Sequence, residues 1–257
     1  MIVIGHRGAK SEAPENTLAG FAYARSIGVR AFEFDVRLCG DEAAVLLHDE
    51  TVDRTTDASG RVSQFSASQL ARLDARGDFV DSPETGVPTL AEALDALCDA
   101  RLLQIEIKSD APERLARVCR QVVDLVDQHG LADRVVVVSF DATALTITRQ
   151  LAPNLRRGLI GAYDDIRFVD RAEELGCWAA CVCFRTTTHK IVSRARAAGL
   201  NTTAWTVNTV DDVATLLDWD VDNVTTDCPS VVMKYLRQRT CLETWDESGK
   251  QNYGHDR

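Results

Sequence analysis

With 257 residues, 45% of them hydrophobic and 26% charged, the chain has an ordinary soluble-globular composition and enough length for one large α/β domain. Its 29 basic residues against 39 acidic ones give a net charge of −10, which argues against a nucleic-acid partner or stable association with an anionic membrane, since both need a basic face. A phosphate site in such a chain has to be made locally positive, and a metal ion does that efficiently.

The chain opens on a short apolar strand, Met1-Ile2-Val3-Ile4-Gly5, with neither the basic n-region nor the long apolar h-region of a secretory signal. No run approaches the roughly 20 apolar residues of a transmembrane helix, so a cytoplasmic location is expected. From there short apolar runs alternate with helical patterns, the signature of βα units and a parallel sheet. Strands are expected at 2–5, 31–36, 44–47, 102–107, 135–140, 157–160, 179–184, 202–207 and 223–226. That is one too many for an eight-stranded barrel. The runs 31–36 and 44–47 are joined only by a short segment around Gly40-Asp41, whereas a parallel crossover needs roughly a dozen residues or more. The pair must therefore be hairpin-like, and the remaining eight predict a single (β/α)8 TIM barrel over residues 1–240.

Helix ends punctuate the alternation. Asn16 is expected to cap a helix closed by Gly28, Thr89 with Glu92 forms a capping box, and Pro112 and Pro229 open later helices, the last running through Leu236. The polar stretch at about 40–88, with one helical piece near 68–75, reads as an insertion after the second barrel strand. Residues 241–257 read as a polar, frayed tail. The eight cysteines include Cys181 and Cys183 two apart in an apolar run. With no second pair at zinc-ribbon spacing, they read as reduced, mostly buried thiols.

In such barrels the active residues come from the C-terminal ends of strands, and the polar residues there form one set. The first strand ends in His6-Arg7-Gly8. The second carries Glu33 and Asp35, two apart and so on one side of the strand. The extra strand ends in His48-Asp49, and the next barrel strand carries Glu106 and Lys108. Charged side chains in apolar strands cannot face a dry core uncompensated. Glu33, Asp35 and Glu106 offer the all-oxygen ligand set that Mg²⁺ or Ca²⁺ prefers. Two histidines at strand ends beside them suit acid–base work. His129, His189 and His255 have no such setting and read as surface or packing residues. Arg7 and Lys108 suit a phosphate oxygen, and neutralisation of the carboxylates is compatible with that. Trp205 is either core filler or a flat wall for a ligand's carbon skeleton.

His6-Arg7-Gly8 with Pro14-Glu15-Asn16-Thr17, Glu33-Phe34-Asp35-Val36, Leu47-His48-Asp49, Ile105-Glu106-Ile107-Lys108, Ser139-Phe140, Trp205-Thr206-Val207-Asn208 and Thr226-Asp227-Cys228-Pro229 resembles the ordered motifs of the glycerophosphodiester phosphodiesterase family, of the cytosolic bacterial or archaeal type. The match runs from Gly5 to Pro229. The resemblance implies a barrel with a characteristic insertion, a divalent metal held by Glu33, Asp35 and Glu106, and His6 and His48 as catalytic residues. Cys39 stands where the family commonly has a threonine, and this departure touches no ligand.

The implied reaction is metal-assisted hydrolysis of a small glycerophosphodiester to sn-glycerol 3-phosphate and an alcohol. His6 is read as base and His48 as acid, an order that spacing does not fix; nor does it separate direct attack by water from a cyclic intermediate. Arg7, Lys108 and Trp205 are the expected substrate contacts, with Trp205 over the glycerol and the head group outward and weakly selected. The alternatives are a sphingomyelinase D-like phospholipase, typically secreted and disulfide-bonded, and a catalytically silent phosphodiester-binding barrel. The latter would be expected to lose a histidine or carboxylate. Head-group preference, the metal and the oligomeric state are not legible in the sequence.

Overall fold

A computed structural model of the chain describes residues 1–162 and 167–250, with side chains as far as 239. Its strands are β1 (Ile2–His6), β2 (Ala31–Leu38), β3 (Ala44–Leu46), β4 (Leu102–Ile107), β5 (Val135–Ser139), β6 (Arg156–Gly161), β7 (Ala179–Cys183), β8 (Asn201–Trp205) and β9 (Asn223–Thr226). All but β3 close a parallel barrel in chain order, with β9 hydrogen-bonded back to β1. β3 folds back antiparallel on β2, Val36 opposite Leu46 and Leu38 opposite Ala44. The short connection dictates this, because it leaves no length for a crossover.

Helices follow the strands: α1 (Leu18–Ser26), α2 (Ala67–Leu70), α3 (Leu90–Ala96), α4 (Pro112–Gln128), α5 (Ala142–Leu151), α6 (Arg167–Glu174), α7 (His189–Ala197), α8 (Val210–Asp218) and α9 (Pro229–Lys250). α4 buries Leu115, Val118, Cys119, Val122 and Val126, a stripe at i, i+3, i+4, i+7 and i+11 that faces the sheet. Each such aliphatic side chain contributes about 1.5–3 kcal/mol by leaving water, and an Asp at Val122 would break the stripe at its centre.

Strand alternation positions the site. Phe32, Phe34 and Val36 of β2, with Leu103, Ile105 and Ile107 of β4, point outward into the apolar layer beneath the helices. Glu33, Asp35, Gln104 and Glu106 therefore point into the lumen. Register then aligns them: His6 lies opposite Glu33 and Asp35 opposite Glu106. A slip of one residue would turn every one of these carboxylates out into the apolar layer. The lumen below is filled by Ile4, Ala31, Leu102, Val136, Val138, Ile160, Ala179 and Cys181. A neutral layer crosses it, in which Gln104 and Asn223 each donate to Thr203 Oγ1 at 3.1 Å.

The insertion has its own small core, built from Cys39, Val45, Leu47, Val52, Val62, Leu70, Ala75 and Val87. Its helical piece is one turn, α2, shorter than the expected 68–75. Its Ser66 capping box starts the turn, and Gly86 then packs on the Ala71 carbonyl, where a Cβ would come within 2.1 Å. α9 is longer than expected and continues past Leu236 to Lys250, in keeping with a sequence that holds no Gly or Pro from 237 to 247. Residues 251–257, the end of the expected tail, lie outside the described residues.

One cap is reassigned. Thr17, not Asn16, caps α1, accepting from the Gly20 amide. Asn16 sits at φ 55°, a left-handed conformation that asparagine tolerates, and its side chain turns instead to the barrel mouth.

Candidate active site

The C-terminal ends of the barrel strands surround a cavity of about 240 Å³ lined by His6, Arg7, Glu33, His48, Glu106, Lys108 and Trp205, among others. Asp35 lies beneath it with no exposed surface. All eight residues singled out in the sequence are thus brought to one place, from β1, β2, β4, β8 and the start of the insertion. His129 and His189 lie elsewhere: His129 Nδ1 is 2.7 Å from the Leu125 carbonyl oxygen, and His189 opens α7 against Trp219. His255 is outside the described residues.

Three carboxylates and two cations form the floor. Each of Glu33, Asp35 and Glu106 offers an oxygen within 4.8 Å of the other two. Lys108 Nζ lies 2.5 Å from Glu106 Oε1 and 2.8 Å from Asp35 Oδ1. Arg7 Nε lies 3.1 Å from Asp35 Oδ2, and the Arg7 amide donates to Glu33 Oε2 at 3.2 Å. The cations do not saturate the cluster. Asp35 Oδ1 and Arg7 Nε are close to their ionic partners but outside hydrogen-bonding geometry, and both are buried.

The electrostatic consequence is that the three carboxyls are shifted in different directions. Burial opposes ionisation of Asp35, but Lys108 and Arg7 overcome it and hold this carboxyl below the usual range. Burial, then repulsion from Asp35 and Glu106, pushes Glu33 well above it. Burial and Asp35 likewise raise Glu106 to about 7. A divalent cation among these oxygens would supply the compensation that two monovalent cations leave incomplete. The donor set, three carboxylates on two adjacent strands, fits such an ion.

The two histidines share one arrangement. His6 Nδ1 is 2.5 Å from Asp227 Oδ1, and its Nε2 faces Glu33 at 3.8 Å. His48 Nδ1 is 2.6 Å from Asp49 Oδ1, and its Nε2 has no hydrogen-bond partner among the described residues. A carboxylate on Nδ1 fixes the ring and leaves Nε2 as the working atom. Asp227 is itself oriented by Asn208 Nδ2 at 2.8 Å; burial opposes its ionisation, but the His6 contact brings it down to about 2. Burial lowers the His48 pKa, partly offset by Asp35.

The wider frame ties the insertion to the floor. Arg54 bridges Asp49 Oδ2 at 2.6 Å and Glu15 Oε2 at 2.7 Å, and Glu15 holds Arg7 at 2.8 Å. Asn16 donates to Asp35 Oδ2 at 2.8 Å. Glu15, Asn16, Asp49, Asn208 and Asp227 all stand in the motifs quoted above, Asp49 and Asn208 among the polar strand-end residues, but no local pattern assigns them a role in the site. Their position at or just after strand ends was the available signal for Asp49, Asn208 and Asp227. On one wall Trp205 is fixed by its indole N–H on the Cys181 carbonyl at 3.1 Å. Phe140, half exposed, stands edge-on to it with centroids 5.5 Å apart.

Residues 6–231 match the glycerophosphoryl diester phosphodiesterase family. The chain belongs to that family. It is 29% identical to a glycerophosphodiester phosphodiesterase of Caldanaerobacter subterraneus over 92% of this chain and 98% of the relative. It is 30% identical to one from Bacillus subtilis over 91% and 86%. Among solved structures, a phosphodiesterase of Oleispira antarctica in complex with the product sn-glycerol-3-phosphate superposes with a TM-score of 0.85 at 28% identity, covering 92% of this chain and 97% of that one. A glycerophosphodiester phosphodiesterase from Agrobacterium tumefaciens superposes with a TM-score of 0.78 at 27% identity, covering 90% and 98%. Family members generally use a divalent metal, and the acidic trio is the group in this chain that could hold one.

Proposed function

We propose that the chain hydrolyses glycerophosphodiesters to sn-glycerol 3-phosphate and a free alcohol, with a divalent cation, Mg²⁺ or Ca²⁺, held by Glu33, Asp35 and Glu106. The observation that carries this reading is the under-compensated carboxylate trio flanked by two histidines with carboxylate-anchored Nδ1 atoms, in a chain of this family. The cation, when bound, polarises the phosphoryl oxygens and neutralises developing negative charge.

The rest falls to the chain's own side chains. Arg7 and Lys108, fixed by Glu15, Asp35 and Glu106, face the cavity as phosphate-oxygen contacts that need no reorganisation. His6 takes a proton at Nε2 from the nucleophile, water attacking directly or a glycerol hydroxyl whose cyclic phosphate water then opens, and the imidazolium that forms is stabilised by Asp227. His48 delivers a proton from Nε2 to the leaving alkoxide, with Asp49 holding the ring. The lowered pKa of His48 makes it a ready proton donor once charged. Trp205 and Phe140 form the apolar wall against which the glycerol carbons lie. The neutral layer at Gln104, Thr203 and Asn223 closes the cavity below.

No helix among the described residues is long and apolar enough to cross a membrane. The seven cysteines whose side chains are described are free. We take the substrate to be a small soluble diester, on the family resemblance and the product-bound relative. Incubation with glycerophosphocholine should release sn-glycerol 3-phosphate and choline. Release of phosphocholine instead, or turnover only of lysophosphatidylcholine or sphingomyelin vesicles, would contradict the reading.

A further inference from the structure

A second cavity, of about 760 Å³, lies beside the catalytic one and shares no lining residue with it. His48 and Lys108 mark the boundary. Ser109, which follows Lys108, lines the second cavity, as does Glu50, two residues beyond His48. Arg37, Arg61 and Arg114 line it too, against the two acids Glu50 and Asp110. In a chain of net charge −10 this is a local reversal of sign.

The acids are already spoken for. Glu50 pairs with Arg61 at 3.2 Å and Asp110 with Arg114 at 2.9 Å. Arg37 remains, half-buried, with no ion pair among the described residues. Its Nε donates to the His48 carbonyl at 2.9 Å, which accounts for one of a guanidinium's five N–H donors. Its two η nitrogens, with the other four donors, have no hydrogen-bond partner among the described residues. Burial works against the charge of Arg37, only partly offset at a distance by Glu50, Asp35, Asp110 and Asp49, and a bound anion would offset it further. Anchorage of the His48 carbonyl explains Nε; it does not explain a free fork beside a cavity this large.

The side of the cavity matters. On the proposed mechanism His48 serves the leaving alcohol, so the group attached to that alcohol is the one directed past His48 toward Arg37. We infer that this arginine-lined cleft is a head-group subsite for glycerophosphodiesters whose leaving alcohol carries a second anion, a phosphomonoester, taken by the Arg37 fork with Arg61 and Arg114 around it. The subsite rests on the proposed function and deepens it. It departs from the outward, weakly selected head group expected from sequence only for anionic head groups. Choline, ethanolamine and glycerol carry no second anion and remain close to one another.

A matched pair of substrates tests the subsite: glycerophosphoinositol and glycerophosphoinositol 4-phosphate, which differ by the one phosphomonoester. For the wild-type chain, kcat/KM for the phosphorylated diester should exceed that for its parent by roughly tenfold or more at low salt, the scale of a charge-assisted hydrogen bond. The advantage should shrink as ionic strength rises. Arg37→Met should bring the ratio near one; taking the ratio cancels any loss that comes from His48 and affects both substrates. Arg61→Gln should lower the ratio by a smaller factor, and it carries the test if Arg37→Met does not fold. A wild-type ratio at or below one, or a ratio unchanged in the folded variants, overturns the subsite while leaving the phosphodiesterase reading in place. If neither inositol diester nor glycerophosphocholine is hydrolysed, both fall.

Discussion

The two ends of the barrel each bury charge, and they do so in opposite ways. At the N-terminal end Arg157, on β6, is 6% exposed and has no ion pair with a carboxylate among the described residues. Its Nη1 donates to the Leu155, Pro153 and Ala152 carbonyls at 2.7, 3.2 and 3.5 Å, and its Nη2 to that of Gly176 at 3.0 Å. These carbonyls lie at the C-cap of α5, in the turn from α5 to β6, and just past the end of α6. At the mouth, three carboxylates crowd two cations, Asp35 Oδ1 meets Lys108 Nζ only outside hydrogen-bonding geometry, and burial with mutual repulsion raises the pKa of Glu33 and of Glu106. The lower charge spends its η nitrogens on backbone carbonyls, with Nε alone left without a partner, and belongs to stability. The upper cluster leaves a charge requirement open, and that opening is what a cation and a phosphate fill.

The comparison predicts opposite outcomes for substitutions at the two ends. Largest should be the mouth carboxylates. Glu106→Gln or Glu33→Gln should lower kcat/KM for glycerophosphocholine by roughly 10²–10³-fold or more, the scale of losing an electrostatic stabiliser in a closed site. The melting temperature of the metal-free protein should stay level or rise, because one crowded acid is gone. A matching fall in melting temperature would make the trio a structural ion network instead. His6→Ala and His48→Ala come next, each expected to lower kcat by roughly 10²–10⁴-fold. A change confined to KM would make them binding groups.

Smaller still are the groups that orient those rings. Asp227→Asn and Asp49→Asn should cost about 10–100-fold in kcat, the usual scale for a partner that fixes an imidazole, with KM little changed. A loss in KM alone would place both aspartates outside the chemistry. Smallest in activity is the lower end. Arg157→Leu should leave kcat/KM within about 3-fold while costing ~1–3 kcal/mol of stability for carbonyls left unpaired, read as a lower melting temperature. Loss of activity without loss of stability would erase the contrast.

Much of this was legible in the chain. Alternation fixed which faces of β2 and β4 carry carboxylates, and loop length alone expelled β3 from the barrel. The functional residues missed were those whose role depends on who arrives from elsewhere. Asn16 stands next to a threonine at a helix start, where either residue reads as a cap; only the left-handed turn at Asn16 sends it to Asp35. Asp227 reaches His6 from 221 residues away, a pairing made by barrel closure between β9 and β1. Arg37 continues the inward face of β2, two residues beyond Asp35, but nothing local says that one nitrogen meets the His48 carbonyl and four donors face open space. α9 runs to Lys250, beyond the end its polar composition suggests, because nothing in 237–247 breaks a helix.

The central claim is that the mouth's carboxylates are held together for a divalent cation. The direct measurement is turnover of glycerophosphocholine by protein stripped with EDTA and shown metal-free by elemental analysis, followed by titration with Mg²⁺ and with Ca²⁺. The account predicts that release of sn-glycerol 3-phosphate falls to background and returns as one ion binds per chain, with no such return in Glu106→Gln. Full turnover by the metal-free protein would contradict it.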